Sequence, residues 1–142
     1  MQLALCVLLG AINLSCVLGQ SVFGYPTPGD RGEHCAVKFS STSVFVFGGA
    51  VGTTPAPRSD VAFFNFALNR WTPIQTVGNG PGGLVMPMCA LLNATTVLVA
   101  GGISDWLNFT GVDANTELYA FDVTRLRWTR LADMPIAHSY GT

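Results

Sequence analysis

Residues Gly78-Asn79-Gly80-Pro81-Gly82-Gly83 match the G-x-G-x-x-G pattern whose backbone amides cradle a dinucleotide pyrophosphate. That chemistry requires a strand before the glycines and a helix after them, because the helix N-terminus holds the phosphate charge. Here the glycines run into Leu84-Val85-Met86-Pro87, which opens no helix. The stretch therefore reads as a loop between repeats and implies no cofactor. His34 and His138 are the two histidines of the chain. A zinc centre is built from three or four His, Cys or acidic ligands, so no metal is expected, and the two histidines read as structural hydrogen-bonding groups of a repeat. Serine, histidine and aspartate all occur, but the nucleophile elbow G-x-S-x-G does not. No catalytic residue is expected, and the chain reads as a non-enzyme.

Four cysteines are present, of which Cys6 and Cys16 fall in an apolar N-terminal run. No charged side chain precedes Asp30, and Leu3 to Leu18 is broken only by Gly10, Asn13 and Ser15. The run is short for a membrane span of about 20 residues. An apolar core followed by small residues is the pattern of a secretory signal, with Val17 and Gly19 at the cleavage positions and Gln20 as the mature N-terminus. The expectation is a signal helix over residues 1–19, a secreted product, and no membrane span after cleavage. Secretion permits Cys35 and Cys89 to pair. They stand at near-equivalent places in two repeats, and a bridge requires Cα atoms within about 7 Å; small buried strand residues remain the alternative reading. The sequons Asn93-Ala94-Thr95 and Asn108-Phe109-Thr110 mark expected surface glycosylation sites on a secreted glycoprotein.

The chain of 142 residues is 49% hydrophobic and 11% charged, with a net charge of −1. That balance fits a compact β-rich domain rather than a disordered one. Its seven basic residues are scattered, and only Arg125, Arg127 and Arg130 lie close together, among Leu126, Trp128 and Leu131. Nucleic-acid binding needs a sustained basic surface, so no nucleic-acid partner is expected.

The elements that would position these residues come in two copies. Ser43-Val44-Phe45-Val46-Phe47 ends at Gly48-Gly49, and Thr96-Val97-Leu98-Val99-Ala100 ends at Gly101-Gly102. Each reads as a buried strand with a sharp exit. Around the first copy, strands are expected at 34–39, 60–66 and 71–74; around the second, at 88–92, 117–122 and 128–131. Gly48 and Gly101 lie 53 residues apart, and Trp71 and Trp128 lie 57 apart. A period near 50 with four strands per unit points to propeller blades. A third unit begins at Pro135, with His138 in the role of His34.

These residues resemble the kelch repeat. In that family a histidine opens the first strand, an apolar run ends in Gly-Gly, and an Asp precedes a Trp by about six residues. The matching residues here are His34, Gly48-Gly49, Asn65 and Trp71, then Gly101-Gly102, Asp122 and Trp128, with Asn65 departing from the usual Asp and Pro87-Met88 standing where the second blade's histidine would be. The resemblance covers about residues 31–139 and implies an all-β fold: two four-stranded antiparallel blades of an incomplete β-propeller, with Trp71 and Trp128 packed between blades. The expected division is signal 1–19, extended lead-in 20–33, blade one 34–87, blade two 88–134, and the start of a third blade at 135–142. Since propellers have about four to eight blades, the chain reads as a fragment whose remaining blades are missing, with assembly from several chains as the alternative.

In an antiparallel blade, alternate connections share an end. Loops 50–59 and 103–116 therefore emerge with the inter-blade segments 75–87 and 132–137, and long connections are where function tends to sit. Arg58, Asp105 and Trp106 are the expected contact residues, since Trp and Arg anchor interfaces. The reading is a module that binds a protein or glycan ligand, without cofactor. The alternative is the N-terminal part of a secreted galactose-oxidase-like enzyme whose catalytic residues lie in the missing blades.

Overall fold

The computed structural model describes residues 31–51, 56–105 and 114–139. The expected signal helix, Trp106 and Asn108 lie outside the described residues. Within them the protein is all-β. Strands β1 (Cys35–Lys38), β2 (Ser43–Phe47), β3 (Val61–Asn65) and β4 (Arg70–Ile74) form one antiparallel sheet in sequence order. Strands β5 (Met88–Asn93), β6 (Thr96–Ala100), β7 (Leu118–Asp122) and β8 (Arg127–Arg130) form a second. The strand-forming runs are rich in Val, Phe, Leu and Tyr, and each is cut by a turn that its own side chains close.

The hairpin turns explain the Asn/Asp positions. The Asn65 side-chain oxygen accepts the amide of Leu68 at 3.0 Å. Asp122 accepts the amides of Thr124 at 2.8 Å and Arg125 at 2.9 Å. Asn65 and Asp122 thus do the same work through the same acceptor oxygen, so replacing Asp by Asn keeps the turn. Asn69 and Leu126, at the last turn position of each copy, both take positive φ, 47° and 53°.

Strand register fixes which residues share a face. In the first sheet Phe47 pairs with Cys35 and Val61, and Phe45 with Val37 and Phe63. In the second, Val97 pairs with Leu91 and Phe121, Val99 with Cys89 and Tyr119, and Phe121 with Trp128. These two faces meet, and the core lies between the sheets. Phe45, Phe47, Val61, Val97, Val99, Phe121 and Trp128 are all buried in one cluster. Ring centroids cross the interface at 5.4 Å for Phe45–Phe121 and 5.3 Å for Phe47–Trp128, within the range in which aromatic pairs attract.

The two tryptophans part company here. Trp128 is buried between the sheets. Trp71 lies on the other face of its sheet, half-buried against Phe64 at 4.8 Å. The matching strand positions place both on the same side of their own sheets, and only the second sheet has a described neighbour on that side. Among the described residues no second sheet covers Trp71, so the packing between blades expected for it is not seen within them.

The cysteines show the same geometry at work. Met88 opposes Ala100 as Cys35 opposes Phe47, so Cys35 corresponds to Met88 and Cys89 to Ala36. The offset of one residue turns the two cysteines toward opposite faces of their sheets, and across a shared interface opposite faces confront each other. Cys35 and Cys89 form a disulfide with a Cα–Cα distance of 5.6 Å, joining the first strands of the two sheets.

The segment after β4 bonds to both sheets, with Leu84 joined to Gly49 and Arg58 of the first and two bridges to the second. Val77 bridges to Arg127 in parallel and covers the outer edge of β8, and Val85 bridges to Ile103. The glycine pattern at 78–83 serves this path. A Cβ on Gly80 would lie 2.5 Å from the Trp128 ring, and one on Gly83 would collide with the Pro57 carbonyl. Strand β5 follows, with no helix, so the segment is the clearance that the Trp128 side chain and the Pro57 backbone require.

Candidate functional site: the loop end of the two sheets

The β2–β3, β4–β5 and β6–β7 connections and the segment after β8 all emerge at one end of the two sheets. A ring of three backbone hydrogen bonds repeats there. Gly49 N–H donates to the Leu84 carbonyl (2.8 Å), Leu84 N–H to Arg58 (3.0 Å), and Arg58 N–H to Gly49 (2.8 Å). In the second copy Gly102 donates to His138 (2.9 Å), His138 to Asn115 (3.4 Å), and Asn115 to Gly102 (3.0 Å). Each ring ties a strand exit to the segment that leads into the next unit. This is why two glycines are needed: Gly48 and Gly101 have φ of 72° and 63°, and a Cβ would meet the Leu84 and His138 carbonyls respectively.

The rings also correct the histidine correspondence. His138 stands where Leu84 stands, three residues short of the His34 position. The residue matching His34 in the second repeat is Pro87, because Gly32 bridges Ala50 as Val85 bridges Ile103. His34 is buried, and its Nδ1 has no partner. Burial, reinforced by the charge of Arg31, lowers its pKa and keeps the ring neutral.

In the first copy the place of Leu84 is taken by Arg31, whose side chain is fully buried. Its guanidinium reaches both oxygens of Asp60, at 3.1 and 2.6 Å, and donates to the Gly48 carbonyl at 3.1 Å. Arg58 adds a bond from Nε to Asp60 at 2.8 Å. Burial pushes the Asp60 carboxyl up, but the hydrogen bonds and charges of Arg31 and Arg58 outweigh it and hold it below its ordinary value.

In the second copy Glu117 takes the place of Asp60. Arg130 lies 3.4 Å from Glu117 and 2.9 Å from Asp133. Tyr119 beside them has its phenol pushed up by burial and then by the Glu117 carboxylate. An open cleft of about 530 Å³ lies beside this group. Ser104, Asn115, Thr116, Glu117, Arg130 and Asp133 line it over a floor of Leu84. Its size lies in the range of ligand pockets, and its walls offer hydroxyl, amide, carboxylate and guanidinium groups, with two carboxylates to one guanidinium.

The expected contact residues fall unevenly on this surface. Asp105 is exposed on the same end, next to Ser104. Arg58 is half-buried, with its backbone in the first ring and its side chain held by Asp60. Asn93 is exposed at the opposite end, its side chain accepting the Thr95 amide at 3.0 Å. Among the described residues no three His, Cys, Asp or Glu side chains gather as a metal cluster. Arg31, Asp60, Glu117, Arg130 and Asp133 were not singled out from sequence. The repeat carried their signal: Arg31 and Leu84 are 53 residues apart, like the glycine pairs.

No protein-family model and no curated protein sequence matches the chain. The fold is found among solved structures. One of these, described as the structure of YjhT, superposes with a TM-score of 0.62 at 18% identity, over 79% of this chain and 41% of that one. The similarity is one of fold. The chain spans less than half the length of that protein.

Proposed function

We propose that this chain is a two-blade part of a secreted, kelch-type β-propeller that works as a binding module at its loop end. The observation that carries the reading is the cleft over Leu84, walled by three separate connections at the end where all the long loops emerge. Of the two ligand classes, a glycan fits it better than a protein. Sugar hydroxyls both donate and accept, and Ser104, Asn115, Thr116 and the Glu117–Arg130–Asp133 group supply both functions within one open cleft. Secretion and glycosylation at Asn93 and Asn108 belong to the same reading. The test is to probe immobilised glycans and secreted protein domains with the purified chain, then with Ser104→Trp and Thr116→Arg, which fill the cleft. Both substitutions are expected to abolish binding to the best ligand, and Thr124→Arg at the opposite end to leave it intact. Absence of any ligand, or equal loss with Thr124→Arg, would overturn the reading.

A further inference from the structure

Asn79-Gly80 is the one Asn-Gly pair of the chain, inside the glycine run that needed no cofactor. Asn79 is exposed and outside any strand, and Gly80 beside it is half-buried. The glycine is imposed by the fold. A Cβ at Gly80 would lie 2.5 Å from the Trp128 ring carbon Cδ1 and 2.7 Å from its Nε1, and one at Gly78 would lie 2.7 Å from the Trp128 carbonyl oxygen. Residues 78–83 are held at both ends. Val77 donates its amide to Leu126 and accepts that of Trp128, both at 2.9 Å, and Leu84 donates to Arg58 at 3.0 Å. Val77 places the start of this segment along the edge of β8, away from the faces on which sheets stack.

We propose that Asn79 is a modification site: it converts spontaneously to isoaspartate, and the conversion lifts Gly80 off Trp128. The amide nitrogen of Gly80 attacks Cγ of Asn79, and the Cγ–Nδ2 bond breaks. Ammonia leaves with the proton that Gly80 gives up, and a succinimide ring remains. A side chain on the following residue would crowd this attack, and Gly80 has none. Water then opens the ring on either side of its nitrogen. Breaking the bond to Cγ gives aspartate. Breaking the bond to the main-chain carbonyl gives isoaspartate, whose chain continues through Cγ. Nothing is oxidised or reduced. Isoaspartate adds a carbon to the main-chain path. Between two fixed ends, and with the Trp128 ring closing the inner side, the added length bows outward to solvent. Gly80 then moves away from the indole and uncovers the Nε1 edge that it faces. The clearance that Trp128 demands is thus also what makes Asn79 reactive.

The experiment incubates the intact chain at neutral pH, folded and in urea. It follows the mass of the peptide that holds residue 79 and methyl transfer to that peptide by an isoaspartate-specific carboxyl methyltransferase. Folded wild type is expected to exchange NH for O at residue 79, at a rate of the same order as in urea, and the product to accept methyl groups. Asn79→Ala should lose both signals entirely. In the converted protein the Trp128 indole N–H, followed by NMR, should exchange with solvent faster, and the thermal midpoint should fall by roughly 5 °C. Freshly prepared Asn79→Asp carries the charge without the added carbon, so it should keep the indole exchange and midpoint of unconverted wild type. The inference is overturned by an unchanged residue 79 in the folded chain, or by conversion there many-fold slower than in urea. It is equally overturned by converted protein whose Trp128 indole is unaltered, or by fresh Asn79→Asp that already shows the full change.

Discussion

Removing the carboxylate of Asp60 should damage this fold more than removing the guanidinium it serves. Arg31 is fully buried, whereas Asp60 is 37% exposed and keeps a second partner in Arg58. Asp60→Ala takes from the buried Arg31 guanidinium the carboxylate that meets two of its nitrogens, for which the cost is about 3–5 kcal/mol; partial exposure of the site favours the lower end, about 3 kcal/mol. Arg31→Met removes the buried charge itself. What remains is the Gly48 carbonyl short of one donor, at about 1 kcal/mol, and a carboxylate still held by Arg58. The second repeat already runs this variant, with Leu84 in the place of Arg31. The double substitution should therefore cost about 1 kcal/mol rather than the sum, a coupling of roughly 3 kcal/mol. Urea unfolding followed by the fluorescence of buried Trp128, at one protein concentration, measures all three, and the Asp60→Ala midpoint should fall by roughly 12 °C in a thermal scan. Equal cost for the two single substitutions, or an additive double, would refute the reasoning.

Three further outcomes follow from the same structure. Replacing Cys35 and Cys89 together by Ala opens a link spanning 54 residues, which loop-closure entropy values at about 4 kcal/mol; comparing unfolding of wild type and variant under oxidising conditions reads it. Gly80→Ala drives a methyl into the Trp128 ring and should destabilise by about 2 kcal/mol, with a change in Trp fluorescence before any unfolding. Stability should fall with acid in two stages. The lowered pKa of His34 gives stability that is complete above its ordinary value of 6.5 and lost as pH drops below it; the lowered Asp60 does the same beneath 3.8. A pH series of urea midpoints on wild type and His34→Gln should show the upper stage vanish in the variant.

Strand order and core were legible because their signals are local. Alternation of Val and Phe in 43–47 and its copy at 96–100 set the strands, and the spacing of Asn65 to Trp71 and Asp122 to Trp128 set the turns. What failed to show depended on the neighbour rather than the strand. Trp71 and Trp128 have matching sequence surroundings, but among the described residues only one of their sheets has a neighbouring sheet on that side. Cys35 and Cys89 looked equivalent, and a one-residue offset, invisible without register, turned them toward each other. Arg31 sat in a Pro- and Gly-rich stretch that reads only as an extended lead-in, yet it fills the core position that Leu84 fills one repeat later. His138 matched His34 in residue type while its backbone bonds place it with Leu84. The cleft was legible only as a choice of end: topology gathered the loops, but Glu117, Arg130 and Asp133 converge through pairing of β7 with β8.

The central claim is that ligands bind at the loop end, over the cleft of the second sheet. Amide hydrogen exchange on the chain with and without its best ligand from the arrays tests it most directly. Protection is expected in residues 101–105, 114–117 and 131–134, with turns 39–42, 66–69, 93–95 and 123–126 unchanged. Protection confined to those turns would contradict the account.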